Sequence, residues 1–164
     1  MSYAEDRAEI QDLEARYMFA LDWLDADAYV ATFTEDGVLD WALGVARGRD
    51  AIREEVKRMR AYFDGLWKAQ APERPARLRH FIANRTLRIE GDRAWGCAYW
   101  FEINNDIRGR WPYVGGYGHY EDELRKVNGQ WLFARRKIFN ECMADRAASD
   151  TNPAAVLWGS AAKK

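Results

Sequence analysis

Apolar residues at the start of the chain recur at three- and four-residue steps. Ile10, Leu13, Tyr17, Leu21 and Leu24 form one stripe, which predicts a helix over residues 4 to 24. "DADAY" can cap and start a short second helix, running to about Phe33. "TEDG" at 34–37 reads as a turn and "VLDWAL" as a short strand. After Gly48 the helical period returns, with Ile52, Val56, Met59 and Phe63 on one face of a third helix. The two prolines of "APERPAR" break that pattern.

Beyond them the pattern is that of strands. "RHFIANRTLRI", the turn "EGD" and "RAWGCAYWFEIN" predict one hairpin. "YVGGYGHYEDELRKV", the turn "NG" and "QWLFARRKIFN" predict a second, and Asn-Gly is a strong short hairpin signal. From about Ala144 the pattern fades. Residues 1–143 therefore read as one domain and 144–164 as a tail, loose or packed on a partner subunit. Helices followed by an antiparallel sheet make an α+β domain, and a curved sheet wrapped over helices leaves a cavity between the layers.

Composition narrows the partners. The 164 residues are 31% charged and 48% hydrophobic, with a formal net charge of -1, which argues against nucleic acid or an anionic membrane. "MSYAEDRAEIQDLEARY" is too charged for a secretory leader, and no apolar run is long enough to span a membrane. Cys97 and Cys142 lack metal or redox spacing, so a reducing cytoplasm is expected. Aromatics reach 14%, with eight Trp and eight Tyr, and those beyond the core can line a pocket. Trp111, Trp131 and Trp158 read as outward-facing residues that another subunit covers. The chain has no phosphate-binding glycine loop, no HExxH and no GxSxG, so neither a cofactor nor a metal is expected.

One residue breaks the apolar run "YMFALDWL". Asp22 lies off the main stripe, beside Ala15, Met18 and Phe19, where a lone charge is costly. It needs a cation, a hydrogen-bond donor or a proton. The chain has two histidines, His80 opening one strand and His119 inside another. A buried Asp that fixes one His tautomer, with the other ring nitrogen free, makes a general base near neutral pH. The bland alternative is an Asp that caps or pairs with an arginine and a His packed in the sheet. Strict alternation puts Tyr113, Tyr117 and His119 on one face with Gly115. Glycines 115, 116 and 118 mark strand curvature, a bulge or close ligand approach.

The order of "ALD", "FTEDG", a strand opening with His, "GDRA" and "YEDEL…GQW" resembles the SnoaL-like branch of the NTF2-like superfamily, over residues 4 to 140. The resemblance implies a cone-shaped α+β barrel whose curved, mostly antiparallel sheet and N-terminal helices enclose a cavity. In scytalone dehydratase and the hexachlorocyclohexane dehydrochlorinase, an Asp on the first helix pairs with a His on an early strand. Those positions match Asp22 and His80, implying a catalytic dyad with His80 as base. Leu21 and Trp41 stand where scytalone dehydratase has tyrosines. The substrate contacts expected here are Tyr17, Phe19, Trp41, Tyr99, Tyr117 and His119. The implied function is a cofactor-independent lyase acting on a small aromatic or polycyclic substrate, as a homodimer or homotrimer. The alternatives are an isomerase or cyclase of the same fold, or a non-catalytic module such as the small subunit of a ring-hydroxylating dioxygenase. That last reading expects a filled cone and no Asp22–His80 contact.

Overall fold

The computed structural model describes residues 2–70, 77–107, 109–142 and 151–159. Helix α1 spans Tyr3–Asp22. Ser2 and Glu5 close a capping box: the Glu5 N–H donates to Ser2 Oγ at 3.3 Å and the Ser2 N–H to Glu5 Oε2 at 2.6 Å. Its stripe of Ile10, Leu13 and Tyr17 is fully buried. The helix ends as the chain turns left-handed at Leu24, φ 54°. The Asp25 N–H returns to Ala20 O, satisfying a carbonyl of the last turn. Asp25 then caps α2 (Ala26–Ala31), accepting from the Ala28 N–H at 3.0 Å.

The turn expected at "TEDG" is instead part of strand β1, Phe33–Trp41. Its turn chemistry is present but is absorbed as a break in register between Phe33 and Val38. Within it Thr34 Oγ1 donates to Asp36 at 2.9 Å, and Arg125 reaches both residues from a distant strand. Strand β2 (Gly44–Arg47) turns back along β1. Helix α3 (Arg49–Gln70) follows Gly48, whose φ of 79° suits the glycine, and buries Ile52 and Val56. The "APERPAR" break falls almost wholly outside the described residues.

Both hairpins form as read: β3 (Leu78–Glu90) with β4 (Arg93–Asn104), then β5 (Tyr113–Val127) with β6 (Gln130–Asn140). Asn128 and Gly129 both have positive φ, as a two-residue hairpin turn requires. The curved sheet runs β2-β1-β6-β5-β4-β3, antiparallel except for the parallel β1–β6 pair. β2 and β3 are free edges, so the expected barrel is an open one. Between helices and sheet, the Tyr17, Tyr29, Phe33 and Phe133 rings pack edge-to-face and tilted. Arg136 is wholly buried among them. It donates twice to Asp122, at 2.8 and 2.7 Å, beneath the Tyr17, Tyr120 and Phe133 rings. Full desolvation needs such a bidentate partner.

Trp131 does not face outward as expected: it is buried, and its indole N–H donates to Asp6 at 2.8 Å. Of the tail, Thr151, Asn152 and a short helix, α4 (Pro153–Gly159), are described. The helix lies against β3 and β4, and Trp158 Nε1 donates to Thr86 Oγ1 at 2.9 Å. The rest of the expected tail, residues 144–150 and 160–164, lies outside the described residues, as does residue 143.

Candidate active site

Asp22 is the last residue of α1 and His80 the third of β3. β3 is a sheet edge, so half its backbone donors have no neighbouring strand. The Asp22 carboxylate takes one of them, accepting from the His80 backbone N–H at 3.1 and 3.3 Å. The same carboxylate lies 2.7 Å from His80 Nδ1. Arg79 ties the helix end to the strand, donating to the Asp22 carbonyl at 3.3 Å with its guanidinium 4.0 Å over the Trp23 ring. Asp22 and His80 therefore meet, as expected.

The second ring nitrogen is not free. Nε2 lies 3.1 Å from Oε2 of Glu102, the residue directly opposite His80 on β4. Burial opposes charge on His80. The Asp22 and Glu102 carboxylates outweigh it and raise the imidazole to about 9. His80 is thus an imidazolium at neutral pH, donating from both nitrogens. Burial also opposes charge on Glu102, but bonds from His80, Asn104 Nδ2 at 3.1 Å and the Gly116 N–H at 3.0 Å hold its carboxyl below the usual range.

The β5 glycines serve this carboxylate. The β4–β5 register slips where residues 115 and 116 oppose Glu102. A Cβ at Gly115 would be 2.8 Å from Glu102 Oε1 and would overlap the Asn104 amide; at Gly116 it would be 3.3 Å from Oε1. The slip also resets the alternation. Tyr113 pairs with Asn104 on the opposite face from Tyr117 and His119, correcting the strict-alternation reading.

These groups lie on the wall of a cavity of about 690 Å³ between α1, α3 and the sheet. Leu21, Leu24, Trp41, Met59, Phe63 and Trp100 give it apolar walls, and Tyr17, Tyr29 and Tyr120 line it beside His80. Trp100 is held by its indole N–H donating to Phe139 O at 3.1 Å. Tyr29 donates to the Tyr17 hydroxyl at 2.7 Å, and burial raises both phenols. The buried indole N–H of Trp41 has no hydrogen-bond partner among the described residues.

Of the six expected contact residues, Tyr17 and Trp41 line the cavity and four do not. Phe19 is 66% exposed on the far side of α1, against Trp23. Tyr99 and Tyr117 are 53% and 50% exposed on the sheet's outer face, because Trp100 and Tyr120 take the inward phase. His119 shares that outer face; it is buried under the Phe139 ring with Nδ1 3.0 Å from Glu141. Sequence reasoning missed Glu102, Trp100, Tyr29 and Tyr120. A signal existed for Glu102, an isolated carboxylate in the apolar run "AYWFEIN", much as Asp22 is in its own.

Among the described residues, no group of three or more His, Cys, Asp or Glu is placed to hold a metal ion. Nor is any described helix long and apolar enough to cross a membrane.

Residues 2–137 match the sequence model of the SnoaL-like domain, SnoaL_4, and the chain belongs to that family. Among solved structures it is similar to a cystatin-like-fold protein of unknown function from Nostoc punctiforme, at 28% identity and TM-score 0.67 over 84% of this chain and 92% of that one. A Catenulispora acidiphila protein in complex with S-DNPA is 26% identical, with TM-score 0.69, covering 85% of this chain and 96% of that one. A provisionally named scytalone dehydratase from Novosphingobium aromaticivorans shares the fold at 23% identity and TM-score 0.68, over 84% and 85% of the two chains. No curated protein matches. The NTF2-like fold and the cavity are those of a small-molecule-binding or catalytic domain.

Proposed function

We propose that this chain is a cofactor-independent lyase. It eliminates water or a similar leaving group from a small aromatic or polycyclic substrate, or cleaves a C–C bond of one by a retro-aldol step. The observation that carries this reading is the 2.7 Å contact between Asp22 and His80 on the wall of an apolar cavity. A charged imidazole held between two carboxylates on a wall shared with Trp, Tyr, Leu and Met side chains is positioned for proton transfer, not for packing. The open cavity and the contact both favour chemistry over a non-catalytic assembly module, which needs neither. The cavity suits a drug-sized ligand, and its indole and phenol walls favour a flat substrate. The unpartnered Trp41 N–H offers a donor for a substrate oxygen. A Catenulispora relative captured with a ligand supports a small-molecule role. Two unpaired thiols, Cys97 and Cys142, favour a reducing cytoplasm. The aromatic outer face favours a homodimer or homotrimer.

The test is a panel of aromatic β-hydroxy ketones, followed by absorbance without added cofactor, using wild type, Asp22→Asn and His80→Ala. His80→Ala should lose about 100-fold or more in turnover, the scale of one acid–base group. Asp22→Asn should also lose heavily. A folded His80→Ala protein with wild-type turnover removes His80 from the mechanism.

A further inference from the structure

We infer that Glu102 is a catalytic residue of this cavity: its carboxylate removes the substrate's proton, while His80, held as a cation between Asp22 and Glu102, supplies a proton to the departing group. The inference rests on the acid–base reading above and assigns the two halves of that reaction to different residues.

The argument starts from lone pairs. An imidazolium that donates from both nitrogens has none to accept with. His80 Nδ1 lies 2.7 Å from an Asp22 oxygen and Nε2 3.1 Å from a Glu102 oxygen, so each nitrogen of the charged ring faces a carboxylate and the ring can only give a proton. Glu102 is in the opposite condition. Its Oε1 accepts from the Gly116 N–H and Asn104, whereas Oε2 has only His80 Nε2, at 3.1 Å, as a polar neighbour among the described residues and keeps a lone pair at the cavity wall. The register slip and the glycines opposite Glu102 hold the carboxylate in place. A side chain of mere packing value needs no such seat.

His80 and Glu102 are direct partners on neighbouring strands, so both reach a bound substrate from the same side. In an elimination, Glu102 takes the proton from the carbon next to a carbonyl. The C–H electron pair becomes the C=C bond and the C–O bond to the β-oxygen breaks. That oxygen leaves as water, carrying the proton from His80 Nε2. Glu102 is then a carboxylic acid and His80 neutral. One proton crossing their 3.1 Å contact restores the starting pair, and it runs downhill, because Glu102 sits below its ordinary range and His80 near 9. The other titratable groups at the cavity are Arg58, Arg60, Tyr62 and Asp64 of α3, Arg77 before β3, and Cys142. The phenols of Tyr17, Tyr29 and Tyr120 are raised by burial and stay neutral through this range.

The experiment uses 5-nitrobenzisoxazole, a flat aromatic probe whose one acidic C–H is removed as its N–O bond breaks, giving a coloured cyanophenolate. Wild type, Glu102→Gln and Glu102→Asp are compared as full chains. Wild type should exceed Glu102→Gln by about tenfold or more, and its rate should be level between about pH 6 and about pH 8, because the base is already ionised. Glu102→Asp, which withdraws the carboxylate by one methylene, should keep about a tenth to a third of the rate, and it decides the matter if Glu102→Gln does not fold. The inference is overturned by wild type no faster than Glu102→Gln, or by Glu102→Asp as fast as wild type. A rate climbing in proportion to hydroxide up to about pH 9 also overturns it, by placing the base on His80. Failure of the lyase reading looks different: His80→Ala would turn over the aromatic panel normally, while the contrast between wild type and Glu102→Gln on this probe stands.

Discussion

At the scale of the residue, Asp22 does two things at once. It satisfies an edge-strand N–H that has no neighbouring strand, and it holds an imidazole ring. The bland reading of Asp22 as a structural acceptor and the reading of it as a dyad member are both true of the same carboxylate. The energetic consequence falls on His80, held at about 9 against its ordinary value of about 6.5. Folding favours its charged form, so that stabilisation is complete below about pH 6.5 and is lost as pH rises through 9. Glu14, whose carboxyl burial pushes up to about 7 against Arg136 and Arg85, loses its contribution between 4.5 and 7. The span from 7 to 9 therefore belongs to His80. Unfolding free energy from urea melts should fall across it by about 2 kcal/mol in wild type, somewhat under the limit of about 1.4 kcal/mol per pH unit, and stay level in His80→Ala. A level wild-type curve would mean that the ring is not charged when folded. Asp22 was legible as a lone charge in an apolar run, and its pairing with His80 through the family resemblance. Glu102 was not, because its role depends on facing His80 across two strands, and that register is set by the hairpin as a whole.

At the scale of the element, the glycines of β5 separate into two kinds. At Gly118 a Cβ would overlap the Phe139 carbonyl, a backbone atom with no freedom to move. At Gly115 it would meet the ends of the Asn104 and Glu102 side chains, which can yield. Gly118→Ala should therefore destabilise the fold by about 2–4 kcal/mol in a urea melt. Gly115→Ala should spare the fold but push Glu102 from His80. Ring nitrogen signals of the two histidines would then show His80 titrating nearer the ordinary value of about 6.5. Equal urea midpoints for the two variants would contradict this division. Regular stretches of both hairpins were readable from alternation and the Asn-Gly turn. The irregular positions were not: the slip at 115–116 moved Tyr113 to the other face, and the slip in β1 absorbed a turn-like "TEDG" into a strand.

At the scale of the whole molecule, the sheet has an inside and an outside, and alternation alone does not say which is which. Aromatics stand on both faces of β4 and β5, so Tyr99, Tyr117 and His119 looked as able to line a cavity as Trp100 and Tyr120. Only the curvature of the sheet over α1 and α3 decides the matter. Turned outward, Phe81 stacks on Phe101 at 5.0 Å, with Tyr99 and Tyr117 half exposed nearby. Light scattering at micromolar concentration should give the mass of a dimer or trimer, since an apolar patch of this kind on a lone chain favours association. Tyr99→Lys combined with Tyr117→Lys should shift it to the monomer, and a wild-type monomer would rule out that use of the face. The coarse α+β order, by contrast, was readable, because after the prolines of "APERPAR" period 2 replaces period 3.6 for four successive strands.

The parallel pairing of β1 with β6 also governs how the molecule is made. Leu39 leaves the ribosome early, yet its partner on the sheet is Arg136. Until β6 has emerged, β1 lacks this neighbour, and the aromatic cluster around Tyr17 and Phe33 lacks Phe133 to close it. Pairing across so much intervening chain is slow and leaves apolar surface uncovered meanwhile. Nascent chains stalled before Gln130 should remain protease-sensitive throughout their first forty residues, and resistance there should arrive only with the last strand.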